Sequence, residues 1–471
     1  MGVNRTLAPV WFPFGSRLGI GFGVIDDELR IVESFVRALA PMLESGGPVE
    51  EAVRAAGSRY PAALEMFEVA SDGKSFQLRD EYTFPGEWRP RHLTAERMGL
   101  ELAMPLHDLL ARDVRELIAL TASARHSAEE VRSLIDPSTS ALFEALLRTG
   151  VAMEAPAPAP VPPPVGPAVV RLQHAGLWVT GRRATVLIDP HFNSHYEPTE
   201  LASNMLRPHF EGRVDAILIT HAHADHLHLP TLMSFSPDTA IIVPRVTEPT
   251  MLSPNLVTTL HSLGFYKCRA LGWWEPPVTI GDIEVHALPF YGEQPLLREP
   301  PRHPALRNHG NTYLLQIEST FTWVLADSGT DWQGATVDVA DAVRARFGPV
   351  SLVLSNLRRF ASSDPTYVAG GLYWLALSVD QMRRFASMSQ DILTLGPSGV
   401  AEVCRRVSAD RVLPYAHWWG QLGTVPSRRE DELIGDLINE LASRSTSTEV
   451  VAWRIGDAAR LAGGPLRPCF R

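Results

Sequence analysis

Residues 220–232 read THAHADHLHLPTL and follow directly on the apolar run VDAILI at 214–219. A short run of that kind, rich in β-branched residues, is a buried strand. Four histidines and one aspartate therefore crowd into the loop that leaves a strand, within residues 221–228. Neutral imidazoles and a carboxylate at this density read as metal ligands, whereas a plain polar surface loop has no need of them. His221 and His223 are two apart and can point to one side. Asp225 and His226 then turn toward a second point nearby. The spacing asks for two ions, one held by each pair, with His228 as a spare at the surface or behind the ligands.

The remainder of the chain narrows the class. At 471 residues it holds two or three domains. Its formal net charge of −10 argues against a protein built to hold nucleic acid, whose affinity comes largely from basic residues. Cys268, Cys404 and Cys469 are far apart and make no CxxC or disulfide framework, which fits a reducing cytoplasm. The opening MGVNRTLAPVWFPFG lacks a signal-type apolar stretch, and no run approaches the ~20 apolar residues that span a bilayer. The expectation is a cytoplasmic enzyme with neither nucleic acid nor membrane as partner.

APAPAPVPPPVGP at 155–167 marks a boundary. Proline fixes φ and removes amide donors, so such a tract stays extended and semi-rigid. It separates an N-terminal domain, 1–154, from a larger domain, 168–471. In the first, residues 26–43 carry apolar side chains at helical spacing, and Pro48 and Gly57 bracket a second helix. SFQLRDEYTFPGEW alternates weakly and reads as a strand pair. Three short helices follow over 113–153, with Ser127 and Glu130 forming a capping box for the middle one. The domain reads as mostly helical packing, with a winged-helix arrangement as one alternative. Its candidate roles are docking a protein or substrate partner and dimerisation.

The second domain opens with strands around a Gly-Arg-Arg turn, VVRLQHAGLWVTGRRATVLIDPHF. VDAILIT and TAIIVP are strands flanking a helical LPTLMSF, while TFTWVLADSG and ADRVLPYAHWWG are later strands ending in candidate ligands. Strands alternating with helices indicate a layered α/β domain.

HAHADH, with the HAG at 174–176, VLIDPHF at 186–192, VLADSG and VLPYAHWWG, resembles the metallo-β-lactamase superfamily over about 170–465. The resemblance implies an αββα sandwich. It gives Asp189 a place beneath the metal histidines, orienting one of them, and sets His174 beside it in the opening hairpin. It also makes Asp327 the bridging aspartate and His417 the last histidine. One position departs from the common pattern. Where most members carry a further histidine after a proline, this chain reads ALPFYGEQP, so Glu293 stands near that seat. His286, within the preceding strand, and His303 and His309 beyond it are rival ligands.

The set then becomes His221, His223, Asp225, His226, Glu293, Asp327 and His417. Harder, oxygen-richer donors suit iron or manganese better than zinc. In this respect the chain is similar to the diiron oxygenases built on this fold, the chloramphenicol-pathway β-hydroxylase family. That resemblance implies two Fe ions, with O2 as co-substrate, and Glu293 and Asp327 at the reacting centre. His221, His223 and Glu293 would hold one iron, and Asp225, His226 and His417 the other. It implies hydroxylation at an unactivated carbon, the β-carbon, of an amino acid carried as a thioester on a peptidyl carrier domain in nonribosomal antibiotic biosynthesis. It further implies an electron donor, and it leaves a homodimer open. Two alternatives remain at this point: a dinuclear Zn hydrolase of a lactone, phosphodiester or thioester, and a diiron oxygenase acting on a ribosomally made peptide. Arg358–Arg359, Arg383–Arg384 and Arg405–Arg406 are candidates for a basic rim facing an acidic carrier domain. Tryptophans and tyrosines at 272–274, 367–374 and 417–420 are candidates for pocket walls.

Overall fold

A computed structural model describes residues 5–9, 35, 38–39, 41–42, 45, 48–69, 76–84, 92–97, 100–105, 115–117, 120, 126–148, 152–156, 164–191, 214–223, 225–232, 235–294, 296, 298–359, 376–381, 393–416, 430–461, 463 and 465–468. Two mixed sheets carry the C-terminal part. One runs Cys268–Leu271, Ala240–Pro244, Ala216–Leu218, Thr185–Ile188, Leu177–Thr180, Ala168–Arg171, Asp457–Arg460, Arg467–Pro468. The other runs Val278–Ile280, Ile283–Pro289, Asn311–Ile317, Thr320–Ala326, Leu352–Ser355, Arg411–Pro414, Glu449–Val450.

Strand periodicity explains the layering. Side chains alternate between faces, and here both faces are buried, so the strands read as unbroken apolar runs. Val169, Val179, Val186, Ile188 and Leu218 point between the sheets and meet Val285, Leu315, Val324, Leu352 and Leu413 of the other sheet. Their neighbours Val170, Trp178, Leu187 and Ile217 point outward onto Leu256 and Leu260 of the helix Leu256–Ser262. On the far side, Leu314, Trp323, Leu325, Val353 and Val412 pack on the helices Thr336–Phe347, Gly396–Val407 and Glu430–Ser443. Helices thus cover both outer faces of a two-sheet sandwich.

Among the described residues the N-terminal region is partly helical and also carries short strands. Helices occur at Val49–Gly57, Pro61–Leu64, Asp80–Thr83, Ala128–Leu134 and Pro137–Arg148. They share the region with three two-stranded antiparallel ladders, Arg5–Pro9 with Ala152–Pro156, Phe67–Val69 with Phe76–Leu78, and His92–Arg97 with Leu100–Pro105. The stretch DEYT, expected as strand, is a helical turn with Asp80 and Glu81 at its start, where acidic groups favour a helix N-terminus. The Ser127–Glu130 capping box is formed, with both reciprocal hydrogen bonds present. Of the preceding helix expected in that unit, only Arg115–Leu117 and Leu120 are described. Ala155 and Pro156 of the proline-alanine tract belong to the strand Ala152–Pro156.

The two regions touch. Phe35, Leu39, Val53 and Phe67 share one buried cluster with Met251, Leu252, Leu296, Leu306 and Leu377. The Met251 amide donates to Thr83 O at 3.0 Å, and Arg302 Nη2 donates to Leu78 O at 3.3 Å and Thr83 Oγ1 at 2.5 Å. Arg115 lies fully buried against the larger domain, donating to Leu263 O and Phe235 O with its guanidinium 4.5 Å from the Phe265 ring. Burial brings its pKa down to about 9. Among the described residues, no helix is long and apolar enough to cross a membrane.

Candidate metal centre

Ligand-bearing segments leave the strands at one rim of the sandwich. Ile188 runs into Asp189, Leu218 into Thr220 and His221, Pro289 into Glu293, Ala326 into Asp327, and Ser355 into Asn356. Strands that stop together deliver short loops to one place. Several of these residues take left-handed backbone, namely His174 (φ 49°), Asp189 (φ 43°), Glu293 (φ 47°) and Ala326 (φ 51°). Each such conformation costs roughly 1–3 kcal/mol and persists where surrounding contacts over-determine it.

Two groups of donors form. In the first, His221 Nε2 lies 3.0 Å and His223 Nδ1 2.9 Å from Glu293 Oε2, and the two imidazole nitrogens are 3.0 Å apart. Donors about 2.1 Å from a common ion sit about 3.0 Å apart on neighbouring corners of an octahedron, and about 3.4 Å apart in a tetrahedron. The three donor atoms lie close enough together to hold one ion between them. Two histidines and one carboxylate on one face are the donor set of non-haem Fe(II) oxygenases.

In the second group, His226 Nε2 lies 2.8 Å from Asp327 Oδ2 and 3.5 Å from Asp225 Oδ2. Asp327 clusters with both His221 and His226, so its carboxylate lies between the groups. His174 Nε2 sits 2.9 Å from Asp225 Oδ2, and these two form a further cluster with His226. Asp189, completely buried, accepts from the Thr220 amide at 2.7 Å and the Thr220 hydroxyl at 2.5 Å, and lies 2.8 Å from His226 Nδ1. That contact leaves Nε2 of His226 directed at Asp327.

The electrostatics follow from burial among mixed charges. Burial, then His226 and His223, hold His221 well below the usual histidine range. For His226, burial opposes charge, but Asp225 and Asp327 outweigh it and raise its pKa well above that range. Burial likewise opposes charge on Asp225, and His226 and His174 overcome it and keep its pKa well below the carboxylate range. On Asp189 burial wins and raises the pKa against the pull of His226.

His417 lies outside the described residues, as do 367–374, 417–420 and Arg383–Arg384. Among the described residues, His286, His303 and His309 join none of the donor clusters. His286 is in the strand Ile283–Pro289 beside Phe347, and His303 packs on Phe84. His228 is not a surface residue: it is buried, stacks on His191 at 4.0 Å, and bonds Thr231 Oγ1 through Nδ1 at 2.7 Å. Arg405 and Arg406 pair with Glu402 at the surface, and Arg406 also with Asp338 and Asp341. Trp273 donates its indole N–H to Gly310 O and packs on Tyr291 as part of the framework.

Sequence reasoning missed Thr220 and Asn356. The Asn356 carboxamide donates to Asp327 Oδ1 at 2.5 Å. The signal available was positional: Asn356 ends LVLSN as Asp327 ends WVLAD, both polar groups closing an apolar strand.

The chain belongs to the metallo-β-lactamase superfamily: a family profile described as "Beta-lactamase superfamily domain" matches residues 184–418. It is 29% identical over 240 residues to the 4-amino-L-phenylalanyl-(CmlP-peptidyl-carrier-protein) 3-hydroxylase of Streptomyces venezuelae. That match covers 50% of this chain and 42% of the relative, less than half of its length. Among solved structures, CmlA, a diiron β-hydroxylase from Streptomyces venezuelae, matches with TM-score 0.53 and 18% identity over 95% of this chain and 97% of that one. A mutant of the CmlA β-hydroxylase matches with TM-score 0.54 and 19% identity, covering 98% and 99%. At such identity the structural likeness speaks to the fold.

Proposed function

We propose that this chain is a dinuclear non-haem iron oxygenase that hydroxylates the β-carbon of an amino acid held as a thioester on a peptidyl carrier domain. The observation that carries the reading is Glu293, whose Oε2 stands within 3.0 Å of His221 and His223 where a tetrahedral all-histidine face would suit zinc. The sequence match to a hydroxylase named for a carrier-protein-bound aminoacyl group supports the substrate class.

In this reading His221, His223 and Glu293 would hold one iron, Asp225, His226 and His417 the other, and Asp327 would serve both. The two irons supply the reduction of O2 that lets one oxygen atom enter a C–H bond. The balance is one O2, two electrons from an external donor and two protons, giving the alcohol and one water. The protein does the rest. Asp189 keeps the proton of His226 on Nδ1, so that Nε2 stays a donor. Asn356 fixes the rotation of Asp327 through its Oδ1. His174 holds Asp225 from behind. The buried setting of His221, His226 and Glu293 excludes bulk water from the reacting centre.

Metal analysis tests this. Protein from iron-supplied cells is expected to carry about two irons per chain and to consume O2 with a carrier-bound aminoacyl substrate and a reductant. Glu293→Ala is expected to lose one iron and turnover together. Two zincs per chain with hydrolytic turnover and no O2 consumption would replace the reading with a hydrolase.

A further inference from the structure

Glu293 is the residue that sets this site apart, and it comes from a turn. That turn is held on its far side by a charged pair that touches no donor of the centre. Arg307 and Asp331 form an ion pair at 3.0 Å with side chains 2% and 0% exposed. A charge taken out of water gains little net stability from its partner. A buried pair of this kind calls for a reason other than stability.

Its contacts supply one. Arg307 Nη2 donates both to Asp331 Oδ2 and to Phe290 O at 3.2 Å. The same Asp331 oxygen accepts from the amide of Gly292 at 3.3 Å. One carboxylate and one guanidinium thus grip the backbone on both sides of Tyr291, immediately before Glu293. The grip is itself held. Asp331 Oδ1 accepts from Gln333 N at 2.7 Å, Gln333 Oε1 accepts from Arg307 Nη1, and the guanidinium lies 5.4 Å from the Trp273 ring and 6.0 Å from Tyr291. On the other side the amide of Glu293 donates to Leu393 O at 3.1 Å. Gly292 has φ 94°, and a Cβ there would meet Leu393 O at 2.4 Å and Gly329 N at 2.5 Å. Behind Glu293, Gln294 clasps the backbone of Asn308 by two bonds, 2.7 and 2.8 Å, one residue from Arg307.

We infer that Arg307 and Asp331 are positioning residues whose function is to fix the left-handed turn at Gly292–Glu293, so that the Glu293 carboxylate completes the His221–His223 metal face. Among the described residues the pair's hydrogen bonds reach the Phe290–Gly292 backbone and none reaches His226, Asp225 or Asp327, so its larger effect is on the Glu293 face. This rests on the reading of Glu293 as a metal ligand given above.

The experiment is a metal titration of the apoprotein with Fe(II) under anaerobic conditions, and with Co(II) to follow each site by its ligand-field absorption. Native protein, Asp331→Asn, Arg307→Lys and Glu293→Ala are compared. Asp331→Asn is expected to leave one equivalent as tight as in the native chain and to weaken the other by about tenfold to a hundredfold, the range for residues that orient a ligand. Arg307→Lys keeps the charge pair but loses the second contact to Phe290 O; it carries the test if Asp331→Asn fails to fold, and it is expected to weaken the same equivalent by a smaller factor. Two equivalents of unchanged affinity in both variants, or equal weakening of both equivalents, overturn the inference. Glu293→Ala separates the two layers: if it too keeps both equivalents tight, the ligand reading itself fails. If it loses one while Asp331→Asn and Arg307→Lys lose nothing, only the positioning role fails.

Discussion

Replacing Asp189 by asparagine is the smallest change that tests how the centre is organised, because shape is kept and only a charge and a proton pattern change. Oδ1 takes the Thr220 amide at 2.7 Å, while Oδ2 takes the Thr220 hydroxyl at 2.5 Å and faces His226 Nδ1 at 2.8 Å. A carboxamide has one oxygen and one NH2. If the oxygen stays with the amide, the NH2 meets the hydroxyl and the imidazole. The hydroxyl rotates and accepts. The imidazole accepts only by moving its proton to Nε2, the atom 2.8 Å from Asp327, which then has no lone pair for an ion. The opposite placement sets NH2 against the Thr220 N–H in a dry site, at about 1–3 kcal/mol. Both routes weaken the ion beside His226, by about 10- to 100-fold, or about 1.4–2.7 kcal/mol. Asp189→Ala leaves the imidazole free to choose its tautomer and should weaken that ion less. Chelator competition against each apoprotein, read as metal per chain by emission spectroscopy, measures both. Asparagine binding within twofold of the native chain, or alanine proving the worse of the two, refutes the tautomer argument.

Asn356→Ala removes the donor at Asp327 Oδ1 and is expected to lower affinity for both ions, by about tenfold each, in the same competition assay. Gly292→Ala forces a side chain into Leu393 O at a φ of 94°, and is expected to cost roughly 1–3 kcal/mol in urea unfolding of the apoprotein. His309 has its pKa lowered to about 4, by burial and then by Arg307. The unfolded chain therefore takes a proton near 6.5 that the folded chain refuses until about 4. Stability is whole above 6.5, falls as the pH drops through this window, and below it has lost at most about 3 kcal/mol before solvent screening. His309→Gln should flatten that slope in denaturant titrations of the apoprotein from pH 7 to pH 4.

Much of the fold was written locally. VDAILIT, TAIIVP and TFTWVLADSG are unbroken apolar runs because both of their faces are covered, and the residues that end them, His221 and Asp327 among them, carry the chemistry. The N-terminal region was harder. The weak alternation across SFQLRDEYTF gave one true strand and one helical turn, since Phe76–Leu78 pairs with a segment nine residues back that had shown no pattern. What the sequence hid in the site is what acts across distance. Arg307 and Asp331 are 24 residues apart, and Asn356 is 29 from the aspartate it turns. Each looks like an ordinary polar residue in its own segment. Only folding makes them neighbours of a ligand loop.

This difference has a physical source. A metal ligand must offer a lone pair at short range, so its residue type is restricted and several are drawn from one loop, which leaves a dense local pattern. An orienting residue needs only a hydrogen bond, and nearly any polar side chain supplies one. Its identity is set by what the fold happens to bring near. Glu293 sits between these cases. It is one residue in a turn without histidines, legible only against the position where an imidazole was expected, and its backbone is strained enough that clamps on both flanks are needed to keep it there. A carboxylate that defines the donor set, carried on a turn that cannot hold itself, makes the character of this centre depend as much on Arg307 and Asp331 as on the histidines that first drew attention to it.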